Sequence, residues 1–208
     1  MIKEIFEKKI ISNMDVFVEI VSSYFGEEYR STLLDRAKNI DVALVRGNGV
    51  VKTSQGQVYV GEEPVCVKDD DKSQIVLPVT LLEDKHGNVV FSHLLLHALL
   101  VDYLKEYGEG FNETIVDYMA NDIVKILEKK NINITLDEEP SYESNSFYSK
   151  LFYLVDDYYK GNRKTLVDFA INGDVKVKGI KSKSLEVESK FDELIFVNVE
   201  DQQIKRRK

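Results

Sequence analysis

His93 and His97 stand four residues apart in "HLLLH". Residues so spaced on an α-helix differ by about 40° in direction and roughly 6 Å in rise, so two imidazoles can meet at one point. The chemistry this suits is metal ligation, because zinc takes two histidines from one helix at this spacing. By itself the pair equally fits two core histidines that satisfy backbone carbonyls or each other. Glu113 changes the balance. A helix running on for about eight residues past His97 climbs ~12 Å, and the extended segment from Tyr107 to Asn112 returns ~20 Å, enough to set Glu113 beside the histidines. Two histidines and a glutamate with open coordination positions form the donor set of a catalytic zinc site. Asp117, one turn after Glu113 on the same face, is placed to accept the second N–H of a ligand histidine and fix its tautomer. The preference of acids for the positive end of a helix accounts for either acid taken alone.

These residues need elements that position them. Ile5, Phe6, Ile10, Met14, Phe17, Val18 and Val21 recur at helical spacing and predict a first helix over 3–24, followed by a short one at 28–39. From Asp41 the texture changes to short apolar stretches broken by turn signals, "VALV", "GNGVV", "SQGQVYVG", "PVCV" and "QIVLPVTLL". They predict three to five strands in a small, mostly antiparallel, curved sheet over 41–82. The acidic run "KDDDK" at 68–72 reads as a solvated turn between two strands, since a calcium loop's alternating ligands and closing glutamate are missing.

The histidine helix is expected from about Val89 to Leu104, apolar around most of its circumference and therefore central. "YGEG" breaks the chain before a second helix at 112–130, in which Asn112 is the expected N-cap. The core is expected to draw on Leu94, Leu95, Leu99, Leu100, Leu104, Ile115, Met119 and Ile123. After the polar "NINITLDEEPSYESNS", the segment from Phe147 reads as two helices split at Lys160-Gly161, and the last 35 residues as a hairpin or a helix and strand. The fold class is α+β: N-terminal helices over 1–40, the sheet, two central site helices over 89–130, and a helical or mixed C-terminal segment over 145–208, all in a single domain of residues 1–208.

At 208 residues and 43% hydrophobic, the chain is long enough to bury a full core. A formal charge of −8 with no basic face argues against nucleic acid, whose phosphates need clustered positive charge. "MIKEIFEKKIISNMDVF" interrupts its apolar residues with Lys and Glu, which fits neither a signal peptide nor a membrane span. Cys66 is the single cysteine, so no intrachain disulfide forms, and the usage fits a reducing, cytoplasmic setting. The sequons at Asn112 and Asn133 are better explained by capping and chance.

"HLLLH", fourteen intervening residues, then "NETIVD" within "GFNETIVDYMA" resembles the gluzincin metallopeptidases, thermolysin-like in broad class, whose HExxH is followed by NExxxD. The short spacing looks most like the compact minimal gluzincins. The resemblance spans residues 40–175, and its specific part is 89–121. It implies a zincin-like core, zinc held by His93, His97 and Glu113, Asp117 supporting a ligand histidine, and a cleft for a peptide or protein partner. The pattern breaks at Leu94, where HExxH has the glutamate that carries the proton. Losing general acid–base assistance costs about 10²- to 10⁴-fold in rate, and the sequence names no substitute. Asp102 should face the other way, Glu106 and Glu109 lie near the interhelix turn, His86 sits in a surface turn, and nothing selects among Tyr118, Tyr148 and Tyr153. Three readings are open: an inactive metallopeptidase-like protein that keeps a zinc site and a binding cleft, an active metallohydrolase with a base from elsewhere, and a metal-free structural or interaction domain.

Overall fold

Between Ile40 and Pro78 short runs rich in β-branched residues are separated by turn-forming residues, and five strands form: β1 Ile40–Val45, β2 Gly49–Thr53, β3 Gly56–Val60, β4 Val65–Asp69 and β5 Lys72–Pro78. The structure, a computed structural model, describes residues 2–54, 56–61, 63–69, 72–135, 137–173 and 175–206, without the side chains of 2–13, 59 and 196–206. Six α-helices lie among them: α1 Ile2–Phe25, α2 Arg30–Ala37, α3 Gly87–Leu99, α4 Glu109–Lys129, α5 Phe152–Asn172 and α6 Ile180–Arg206. The fold is α+β, as expected. Two compact units divide the chain, one of Met1–Val101 and Met119–Asn145, the other of Asp102–Tyr118 and Ser146–Lys208. Helix α4 runs unbroken through the boundary. No helix among the described residues is long and apolar enough to cross a membrane.

In the first unit the strands form two sheets where one was expected. β5 is central in the order β1-β5-β4, parallel to β1 and antiparallel to β4, while β2 and β3 pair as a separate hairpin. Ile75, Val76 and Leu77 of β5 are all buried, the continuous apolar run of a strand covered on both faces. The hairpin joins the sheet through side chains: its Val51 and Val60 cluster with Val67 and Val76, flanked by Val45 and Val65. Full burial of a valine contributes on the order of 1.5–3 kcal/mol, sufficient to dock a hairpin without a shared ladder. The strands end at Pro78 rather than at residue 82. Proline has no N–H for a ladder, and Val79–Glu83 is a 3₁₀ turn. Asp69 of β4 pairs with Lys72 of β5; the expected turn between them falls on Asp70 and Asp71, which lie outside the described residues.

α3 packs on β4 and β5. It stops at Leu99, short of the expected Leu104, because its last carbonyls find other partners. Arg36 Nη1 donates to Leu99 O at 2.7 Å, Lys68 Nζ donates to Leu100 O at 2.6 Å, and Leu100 is extended. Cations at a helix C-terminus also meet the negative end of its dipole. Replacing Arg36 with Ala is expected to destabilise the protein by about 1–3 kcal/mol, the range for charged hydrogen bonds and orphaned buried acceptors, with the midpoint of urea unfolding as the measurement. At its other end α3 is tied to the segment that follows α4, since Ile134 N donates to Asn88 Oδ1 at 3.0 Å and Asn88 Nδ2 donates to Asn133 Oδ1 at 3.2 Å.

In the second unit α5 continues through Lys160-Gly161, where two helices were expected. An interior glycine costs roughly 1 kcal/mol against alanine, but Val155 and Tyr159 before it and Leu166, Val167 and Ala170 after it are buried at helical spacing. The helix stops instead at Gly173, whose φ of 83° lies in the left-handed region. The C-terminal segment is helix α6 rather than a hairpin or a helix and strand. Ile180, Ser184 and Val187 recur at positions i, i+4 and i+7 and are buried, a period that the alternating "DVKVKGI", which ends at Ile180, obscures.

Candidate metal centre

All eight expected core residues, Leu94, Leu95, Leu99, Leu100, Leu104, Ile115, Met119 and Ile123, are buried. On α3, His93 and His97 are half-buried. The helix projects the two imidazoles together, with Nε2 to Nε2 at 2.9 Å and ring centroids 4.6 Å apart at 64°. At that separation one nitrogen carries a hydrogen and the other accepts it, or a cation takes the hydrogen's place and both nitrogens donate lone pairs. Two nitrogens on a tetrahedral zinc at ~2.05 Å lie about 3.3 Å apart. Accommodating an ion therefore needs only a few tenths of an ångström of opening.

Glu113 sits in the second turn of α4. The helix starts at Glu109, three residues ahead of the expected Asn112, and Asn112 is not the cap. Asn112 is buried within the helix, its N–H donates to Gly108 O at 3.1 Å, and its Nδ2 donates to Glu113 Oε1 at 2.8 Å. That bond orients the carboxylate. One turn further, Asp117 is 2% exposed and accepts a hydrogen bond from Ser146 Oγ at 2.7 Å. Ser146 in turn organises the following turn, its Oγ accepting from Ser149 N at 3.1 Å and its carbonyl from Ser149 Oγ at 2.7 Å.

This turn carries Tyr148. Burial pushes the Tyr148 phenol up to about 12, and the charges of Glu113, Glu109 and Asp117 push the same way. The group thus stays protonated at neutral pH and is able to donate a hydrogen bond. The sequence offered three tyrosines without a way to choose. Tyr118 donates to Asp156, and Tyr153 is 66% exposed, which leaves Tyr148 as the one among the acids. Ser146, which carries no motif, was not foreseeable.

One ligand atom from each of His93, His97 and Glu113 lies within 4.8 Å of the other two, an arrangement able to hold a metal ion. Among the described residues no other group of three His, Cys, Asp or Glu side chains meets that geometry. His86, Asp102, Glu106 and Glu109 are therefore not part of it. Two imidazoles and a carboxylate are the donor types of an open zinc site, so the residues present fit the ion that the resemblance implies. Leu94 is buried and apolar, and it offers no group to carry a proton. Compared with protein families, curated proteins and solved structures, the chain matches none. Its functional reading accordingly rests on its own residues.

Proposed function

We propose that this chain is a gluzincin-like, zinc-binding protein without peptidase activity that uses its metal site to hold a peptide or protein segment. The observation that carries the reading is the convergence of His93, His97 and Glu113 with Leu94 in the position next to the first histidine. When bound, zinc supplies a Lewis acid with a coordination position open to a carbonyl or carboxylate. His93 and His97 hold it from α3 and Glu113 from α4, with Asn112 orienting the Glu113 carboxylate. Asp117 serves as the acid that steadies a ligand histidine. Tyr148 supplies a protonated phenol to an incoming carbonyl.

β4 gives a peptide something to lie on. It is an edge strand of its sheet and packs on the histidine helix, and an exposed strand edge recognises extended peptide through main-chain hydrogen bonds. The lack of a proton carrier separates binding from cleavage, since a bound peptide leaves intact unless its departing amine receives a proton. The purified protein is expected to take up one equivalent of zinc and leave a diverse peptide library uncleaved. Absence of zinc uptake in a calorimetric titration would return the histidines to a packing role. Turnover that disappears on Glu113→Ala would instead identify an active hydrolase.

A further inference from the structure

We propose that Glu188 is a positioning residue for the metal-ligand helix: its carboxylate, brought by α6, caps the first turn of α4 and so fixes the direction in which Glu113 presents its oxygens. The inference rests on the metal-binding reading above. Phe111 N, two residues before Glu113, donates to Glu188 Oε1 at 2.6 Å across 77 residues of sequence. The first amides of a helix have no partner within it, and a local Ser, Thr, Asp or Asn usually accepts them. Here the residue at the start is Gly108, which has no side chain to do so.

The glycines of "YGEG" are explained by the same contact. Gly108 has a φ of 106°, and a Cβ there would stand 2.3 Å from Glu188 Cδ. A Cβ on Gly110 would stand 2.6 Å from Phe191 Cγ. The two missing side chains thus make the room in which Glu188 and Phe191 seat. Phe191 also stacks on Tyr148, with centroids 5.9 Å apart and planes 12° from parallel. One face of α6 consequently sets two parts of the site, the turn leading to Glu113 and the ring of Tyr148.

The test compares wild-type protein, Glu188→Ala and Glu188→Gln in zinc competition titrations, in the visible spectrum of the cobalt-substituted site, and in amide exchange at Gly110 and Phe111. Loss of an outer support typically weakens metal binding about 10- to 100-fold. Glu188→Ala is expected to show that loss with an altered cobalt spectrum and faster amide exchange, and Glu188→Gln, which keeps an acceptor oxygen, to recover most of the affinity. Wild-type affinity and spectrum in Glu188→Ala would overturn the proposal, as would a Gln variant as weak as the Ala variant. Should Glu188→Ala not fold, Glu188→Asp replaces it: weaker zinc binding in the folded variant supports the role, and unchanged binding removes it. Zinc binding that fails already in the wild type overturns the metal reading and this role together. Binding lost on His93→Ala but indifferent to Glu188 overturns this role alone.

Discussion

His93→Ala and Glu113→Ala are each expected to abolish stoichiometric zinc retention, with a loss of affinity beyond the roughly 10- to 100-fold that follows removal of an outer support. Each change deletes one of only three protein donors, and two remaining donors leave the ion held mainly by water. The consequence for stability is measurable separately. A ligand that binds the native state alone stabilises it by RT ln(1 + [L]/Kd), about 2.7 kcal/mol at a hundredfold excess over Kd. Zinc should therefore raise the melting temperature of the wild type and leave both variants unmoved. The two substitutions differ in what they cost without metal. His93 makes a direct contact with His97 at 2.9 Å, whereas Glu113 accepts from Asn112 within its own helix. If the two histidines served only packing, zinc would not shift the melting of the wild type, and that result would sink the metal reading.

The grouping of His93, His97 and Glu113 was more legible in the sequence than the path of the chain that makes it. Helical spacing alone is enough to put the His93 and His97 rings together, because i and i+4 geometry is local and survives changes elsewhere. The expected route from His97 to Glu113 was different. It assumed a helix continuing for eight residues, but α3 ends two residues after His97, where Arg36 and Lys68 take its carbonyls. Both partners lie more than thirty positions away in sequence, and no local propensity announces them. A 3₁₀ segment over Asp102–Tyr107 follows.

The same distinction runs through the fold. α1 was readable within a residue at each end, since its apolar period is long and clear. Asn112 had the composition of a cap, yet the cap comes from Glu188, at a distance no window of sequence can span. At Lys160-Gly161 a local rule gave way to burial on both sides of the glycine. Parallel pairing of β1 with β5 likewise depends on contacts that skip three intervening strands. Period and spacing exposed what is decided within one turn or one strand, and the remainder is decided by remote partners.

Leu94→Glu is expected to convert the protein into a weak peptidase. Position 94 lies roughly 60° around the helix from His97, beside the ligand pair, so a carboxylate there sits next to any ligand of the metal. Leu94 is 7% exposed, and burial raises a carboxyl's pKa towards the neutral range in which a group both takes and returns a proton. General acid–base assistance is worth about 10²- to 10⁴-fold in rate, enough to bring a metal site that lacks it above the detection limit of a fluorogenic peptide assay. The cost is stability. A buried polar group without a full set of hydrogen bonds costs about 1–3 kcal/mol by mutational measures, a large part of the ~5–15 kcal/mol that holds a domain together. Leu94→Gln is the matching control, close in size and polarity but unable to carry the proton. With both variants folded by circular dichroism and loaded with zinc, hydrolysis is expected in Leu94→Glu alone, and its loss on adding Glu113→Ala would locate it at the metal. A folded, zinc-loaded Leu94→Glu protein that cleaves nothing would show that the block to catalysis lies elsewhere than in the missing carboxylate.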